Sequence, residues 1–375
     1  MKLLCLYCVM FQYRVGTYTA MSKLKDVDFE LWHGRSVPNS KRKNYEGEVP
    51  FRHKELPTKY IPVPGNGTIG LPYTPFLFFR LLRYSPDVVL TEGASNLLWA
   101  SIAFFYCKLF RKKIIWWSLG SLKNNEHKGG LRGLLQYWIS YLERHVDAVF
   151  TYSSQGERYF LEEGVDESRV FKAINVIDTT EKIEKVKKQG VVEKESGFNI
   201  AFVGAMTKVK NLEVLVDAVR DLFTRYSDVH LHLIGDGNYK PVLEKYVKEK
   251  AQNVDVRFHG RVVDGLNSLL GKYQVLVLPG LGGLAIVDGM VSSLPVISGP
   301  ADGTELDLIN EENGFVISEK MTKDFLVEKL SYLHDNPEVV SKMGKRSFEK
   351  ITHEFSFESY MSIFQNCLNY AYNEK

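Results

Sequence analysis

Short apolar runs alternate along most of the chain with longer stretches in which apolar residues recur at helical spacing. That rhythm predicts parallel strands wound with helices, an α/β fold. In the first half the runs lie at residues 3–10, 27–32, 88–91, 114–117, 148–152 and 170–173. In the second half they lie at 199–203, 230–234, 254–258, 275–278 and 295–297. Residues 35–59, with Lys41, Arg42, Lys43, His53 and Lys54, break the pattern and read as a long surface loop. The stretch TTEKIEKVKKQGVVEKESG, residues 179–197, is charged and poor in large apolar side chains, as connections between domains are. The expected organisation is a first domain over 1–180, a linker over 181–197 and a second domain over 198–354. A last helix within 355–375 is expected to pack back on the first domain.

A length of 375 residues suits two domains, each able to bury a core of its own. The 48 Lys and Arg against 45 Asp and Glu leave a net charge of +3, so no global field calls for nucleic acid or another polyanion. Cys5, Cys8, Cys107 and Cys367 show no paired metal spacing, and such a set suits a reducing cytoplasm. The apolar start MKLLCLYCVMF has no small-residue cleavage site behind it and reads as a buried first strand. LLWASIAFFYCKLF, residues 97–110, is shorter than the ~20 residues a spanning helix needs and ends in Arg111, Lys112 and Lys113.

Ligands of doubly wound sheets sit beyond the carboxyl ends of the strands, where helix starts offer backbone N–H groups to phosphate. Two strand-to-helix turns here are rich in glycine. FVGAMTKVKN ends a strand at Gly204 and carries Lys208 and Lys210; PGLGGLAIVDGM places Gly280, Gly282, Gly283 and Leu284 ahead of a helix bearing Asp288. A lysine from one turn and bare amides from the other would clamp a diphosphate, and Asp288 would accept the hydroxyls of its ribose. An acid in a first helical turn is also stabilised by the dipole alone.

These segments resemble the nucleotide-sugar half of the family 4 glycosyltransferases, of GT-B fold, in which two Rossmann-like domains face each other across a cleft. NIAFVGAMTKVKNLEVLVDAV is similar to the family's strand, loop and lysine-bearing helix start, which places Lys210 at donor phosphate. LHLIGDGNYKPVLEKYV, with Gly235 and Gly237, resembles a Gly-x-Gly turn, and VRFHGRVV, with Arg261, the turn beside the base. GTELDLINEENGF resembles a later acidic turn, with Glu305 near the nucleotide. Gly280 stands where the family's spaced pair has its first Glu, Asp288 where it has its second, and Ala205 where an arginine is common.

The first half is similar to a subgroup with a Tyr-Arg-x-Pro opening, a Trp-Gly-His-Gly strand end and an Asn-x-Ile-Asp-Thr strand end. The matching segments are YRVGTYTAMSKL, IIWWSLGS and NVIDT. Arg14 then faces the leaving group, and Gly16, Trp117, Ser118 and Gly120 lie on the acceptor side. Leu119 takes the place of the subgroup's histidine, which makes Glu92, in VVLTEGASN, the candidate polar group at the reaction centre.

The resemblance implies a retaining, metal-independent transfer from a nucleoside diphosphate sugar, with Lys210, Glu92 and Arg14 as catalytic candidates and no cofactor. The implied acceptor is a glycan or a polyprenyl-diphosphate-linked glycan, and the implied setting is the cytoplasm and the inner membrane surface. A bacterial capsule, O-antigen or other lipopolysaccharide glycan is the implied product. FLFFRLLRY and FFYCKLFRKK mix bulky apolar residues with cations as interfacial helices do, and equally as sheet-covering helices with a solvated edge. Two other readings stay open: a sugar-nucleotide epimerase of the same architecture, and a nucleotide-sugar-binding scaffold without catalysis.

Overall fold

The computed structural model describes residues 1–37, 43–61, 70–120, 130–190 and 192–373. The chain forms two compact units: Met1–Ala173 with Glu358–Lys375, and Ile174–Phe357. Each is built on one parallel sheet.

In the first unit seven strands run in the order Arg52–Glu55, Asp28–His33, Lys2–Tyr7, Val88–Glu92, Lys113–Ser118, Ala148–Thr151 and Val170–Lys172. The central strands are apolar almost throughout, because helices cover both faces of such a sheet and each face must be dry. Trp116 and Trp117, adjacent on Lys113–Ser118 and fully buried, show the consequence of a side-chain period of two. Trp116 joins a core with Leu4, Leu6, Trp99 and Phe160. Trp117 faces the other way, its ring 5.6 Å from Tyr7 and 6.2 Å from Phe150. The last helix, Phe357–Asn373, closes that second face by setting Tyr360 and Phe364 against Phe150 at 5.4 and 5.3 Å. All four cysteines are free and buried.

In the second unit six strands run in the order Asp255–Gly260, Val229–Ile234, Phe198–Val203, Val275–Leu278, Val296–Ser298 and Gly314–Val316. Counted along the chain this is 3-2-1-4-5-6, the doubly wound order of dinucleotide-binding sheets. Helix Leu212–Phe223 buries Leu212, Leu215, Val216, Val219 and Leu222 on one face of the sheet. Helix Ala285–Val291 buries Ile286, Val287, Met290 and Val291.

Five elements differ from the sequence reading. The region expected to be a surface loop contains the strand Arg52–Glu55, paired in parallel with Asp28–His33, while its Lys41 and Arg42 lie outside the described residues. Its sequence, RHKE, has no apolar position, so the backbone ladder and polar contacts to the neighbouring strand, such as His53 with His33 at 3.2 Å, hold it in the sheet. A small antiparallel pair, Lys59–Ile61 with Leu71–Tyr73, follows it. Three-residue Gly314–Val316 extends the second sheet beyond the last strand anticipated. The charged connection holds the helix Thr180–Gln189, capped at its end by Gly190 and belonging to the second unit. No helix among the described residues is long and apolar enough to cross a membrane, and Leu97–Phe110 has 14 residues.

Glu143, on helix Leu131–His145, is buried and accepts a hydrogen bond from the Tyr159 hydroxyl at 3.0 Å. Burial pushes its carboxyl up to about 8. A folded value above the unfolded one contributes stability that is complete below about 4.5 and lost as pH rises through about 8. Glu143→Gln is expected to remove this decline, seen as a smaller fall in the denaturation midpoint between pH 5 and 8 (about the window the shift defines) than in the parent chain.

Candidate active site

The strand order of the second unit makes Phe198–Val203 and Val275–Leu278 neighbours whose following helices leave towards opposite faces of the sheet. A crevice forms at the carboxyl edge of such a pair. The two glycine-rich turns both start there.

They meet backbone to backbone. A Cβ on Gly280 would lie 2.3 Å from the Val209 carbonyl oxygen and 2.8 Å from the Lys210 Cα, so only glycine allows the second turn to rest on the first. The Lys210 ammonium then donates to the Leu281 carbonyl. Gly283, in a left-handed conformation with φ +73°, has open space where a Cβ would be, and Leu284 precedes helix Ala285–Val291. Gly282 is more closely flanked, by Leu278 and the Ser298 hydroxyl. A cavity of about 520 Å³ adjoins the junction. Lys208, Gly280, Leu281, Pro300, Lys320 and Met321 contribute to its walls.

The structure gives other expected donor residues jobs within the protein. Gly235, with φ +136°, would place a Cβ 2.0 Å from the Gly204 carbonyl oxygen, and Gly237 would place one 2.2 Å from that of Met206. The Gly204 amide donates to Ile234 at 3.0 Å and the Met206 amide to Asp236 at 2.9 Å. These glycines therefore let two neighbouring turns interlock. Arg261 is exposed just beyond the third strand. Asp288 points to helix Thr180–Gln189, where its carboxylate meets the Lys182 ammonium at 2.5 Å, and is mostly shielded from solvent. Contact with a ribose would require it to exchange that partner. Glu305 is buried, and its two oxygens accept from the amides of Ala301 and Gly303, each at 2.9 Å. Burial raises its carboxyl above the usual range while those amide bonds oppose the rise. It organises the turn after Val296–Ser298, and its oxygens are taken by backbone.

In the first unit the corresponding switch lies between Lys2–Tyr7 and Val88–Glu92. Arg14 is buried there, its guanidinium 4.4 Å from the centre of the Trp117 ring, 5.2 Å from Tyr152 and 5.5 Å from Tyr13. Cation–π attraction is strongest where water is excluded. Trp117, expected on the acceptor side, is itself fully buried, so it acts as a floor beneath Arg14. Glu92, half-buried at its strand end, accepts from the Cys8 thiol at 3.1 Å. Ser118 accepts from the Gly120 amide at 3.2 Å, and Gly120, with φ +74°, packs against Tyr159. Gly16 lies half-buried on helix Val15–Ser22. Among the described residues no group of three or more His, Cys, Asp or Glu has the arrangement of a metal site.

The sequence reading missed Lys320 and Met321. They follow Gly314–Val316, and a strand of three residues led by glycine gives too little periodicity to mark the loop behind it. Lys182 was missed as the partner of Asp288 because the pair is 106 positions apart.

Residues 197–336 match the family described as Glycosyl transferases group 1. An uncharacterized glycosyltransferase of Methanocaldococcus jannaschii is 27% identical over 236 residues, covering 62% of this chain and 61% of that protein. The alpha-monoglucosyldiacylglycerol synthase of Acholeplasma laidlawii is 25% identical over 214 residues, 54% of this chain and 50% of that protein. The chain thus spans about half to six-tenths of the length of these relatives. The crystal structure of Anabaena HepE in complex with UDP superposes with a TM-score of 0.72, at 14% identity, over 98% of this chain and 100% of that one. The architecture is accordingly GT-B, two Rossmann-like domains each with its own parallel sheet.

Gly280→Ala is expected to lower the stability of the second unit by about 1–3 kcal/mol, because a rigid backbone must yield to the new methyl. Urea titration measures the loss, and a variant as stable as the parent would contradict the close approach described above. The sheet order, the two meeting turns and the match to Glycosyl transferases group 1 thus fall together in one segment, residues 197–336.

Proposed function

We propose that the protein transfers a sugar, with retention, from a nucleoside diphosphate sugar to a glycan in the synthesis of a bacterial surface polysaccharide. The observation that carries this reading is the junction of the two turns at the switch point of the second sheet, with a lysine at its lip. The UDP complexed with Anabaena HepE and the glycolipid named for the Acholeplasma relative support the donor class and the general kind of product.

In this mechanism Lys210 leaves the Leu281 carbonyl for the diphosphate oxygens, because an ammonium bonds a charged acceptor more strongly than a neutral one. The amides of Gly282, Gly283 and Leu284 face the same phosphates or the sugar. Together they stabilise the charge that grows on the departing diphosphate. Cations and amides alone serve this purpose, so the transfer is metal-independent. Arg14 and Glu92 are the first unit's contributions, the former a fixed cation for the leaving group and the latter a carboxylate for the acceptor hydroxyl. The acceptor is polyprenyl-diphosphate-linked and is met at the cytoplasmic side of the inner membrane. Asp288 joins the donor site only by giving up Lys182, and Glu305 shapes the neighbouring turn.

Incubation with uridine, guanosine and thymidine diphosphate sugars, followed by assay of free nucleoside diphosphate, tests the reading. Release stimulated by a lipid extract supports transfer; binding without release in its presence supports the scaffold. The anomeric configuration of the product, read by NMR, tests retention. Lys210→Ala is expected to weaken nucleoside diphosphate binding about 10- to 100-fold, the loss of one charge-assisted bond, with the melting temperature unchanged. Equal affinity by calorimetry would remove the phosphate assignment.

A further inference from the structure

Helices Leu77–Tyr84, Leu97–Phe110 and Leu131–His145 cover one face of the first unit's sheet. Their inner residues, among them Leu77, Leu81, Trp99, Ala103 and Leu142, belong to one core. The helices also touch each other through rings: Phe78 lies 6.2 Å from Phe110, and Phe105 stacks on Trp138 at 5.7 Å.

What they leave outside is unusual for a soluble surface. Phe76, Phe79, Phe105, Leu109, Leu134 and Tyr137 are each more than half exposed. Single exposed apolar side chains are ordinary, but several on adjoining helices make a patch that marks an interaction site. The charges among them have one sign. Residues 77–84, 97–113 and 131–142 contain no Asp or Glu, while Arg83, Lys108 and Arg111 are exposed among the apolar positions. Lys108 reaches Asp147 at 3.8 Å; among the described residues neither Arg83 nor Arg111 has a carboxylate partner.

A protein partner usually meets a surface of mixed charge with a polar rim. Bulky apolar and aromatic side chains interspersed with cations, on helix segments that carry no acid of their own, match a surface that is apolar in depth and anionic at its boundary. A helix of 14 residues is too short to span such a layer.

We propose that this three-helix face docks on an anionic lipid bilayer, with Phe79, Phe105 and Leu109 among the acyl chains and Arg83 and Arg111 at the headgroups. The inference deepens the function proposed above, from which it takes the membrane as the place where the acceptor is met. Vesicle binding needs no donor and no transfer, so the two readings fail separately.

The test is flotation of the full chain with phosphatidylcholine vesicles, with and without phosphatidylglycerol. The parent chain is expected to float with the anionic vesicles, less at high salt, and to stay behind with phosphatidylcholine alone. Phe79→Ser with Leu109→Ser is expected to cut the bound fraction about tenfold or more. Arg83→Glu with Arg111→Glu is expected to abolish the preference for phosphatidylglycerol. These side chains are exposed, so melting curves and UDP affinity should match the parent. Leu109→Trp gives an independent readout, a blue shift of emission when anionic vesicles are added. The proposal is overturned by a parent chain that ignores anionic vesicles at low salt or by serine variants that bind as well as the parent. It is equally overturned by self-association through this face without vesicle binding, which would assign the patch to a second copy. Loss of UDP binding by the parent chain would defeat the donor reading and leave the docking intact.

Discussion

The contact of the Gly280 backbone with that of Val209 and Lys210 sets the geometry of the second unit's carboxyl edge. Parallel strands one and four are neighbours in the sheet, but nothing in the sheet itself forces the loops beyond them together. The missing side chain does. It brings a flexible cation within reach of the Leu281 carbonyl, with open space beside Gly283 two residues further on. A larger residue at 280 would separate the lysine from the amides of the second turn, and the two halves of the candidate anion site would act alone.

Lys210 and Arg14, the two cations proposed for the reaction, are held by opposite means. Lys210 sits on a flexible side chain and donates to a backbone carbonyl, a weaker acceptor than a charged phosphate oxygen. Arg14 is enclosed by Trp117, Tyr152 and Tyr13 and has little freedom to lose. Preorganised charge of that kind costs no reorganisation when a transition state forms. The neighbouring acids are used structurally: Asp288 fastens helix Thr180–Gln189, and Glu305 fastens the 301–304 turn.

The alternation of apolar runs and helical periods made both sheets legible from sequence, because parallel strands buried on two faces must be apolar at nearly every position. Where that rule lapses, legibility lapses too. Arg52–Glu55 has four exposed side chains and joins its sheet through the backbone ladder and polar side-chain contacts such as Arg52 with Asp28, with no apolar residue of its own. Gly314–Val316 is too short to show a period. At the candidate site, sequence spacing identified Lys210 and Gly280, both of which the structure brings together. It did not reveal the packing of Gly235 and Gly237 against neighbouring turns or the ion pair of Asp288, because a glycine needed for close packing and a glycine needed for a ligand look the same in a sequence. An acid's partner is likewise invisible when it comes from a distant helix.

The exposed edge of the first sheet has a consequence for how the chain behaves in a crowded solution. An outermost strand with free backbone donors and acceptors is a template on which another chain could add. Here that strand spells Arg-His-Lys-Glu, with Arg52 bonded back to Asp28, so any newcomer must desolvate a row of charges before it gains its first ladder bond. The fibre-forming route is thereby blocked at the open flank, by the residues whose lack of apolar character hid the strand in the first place.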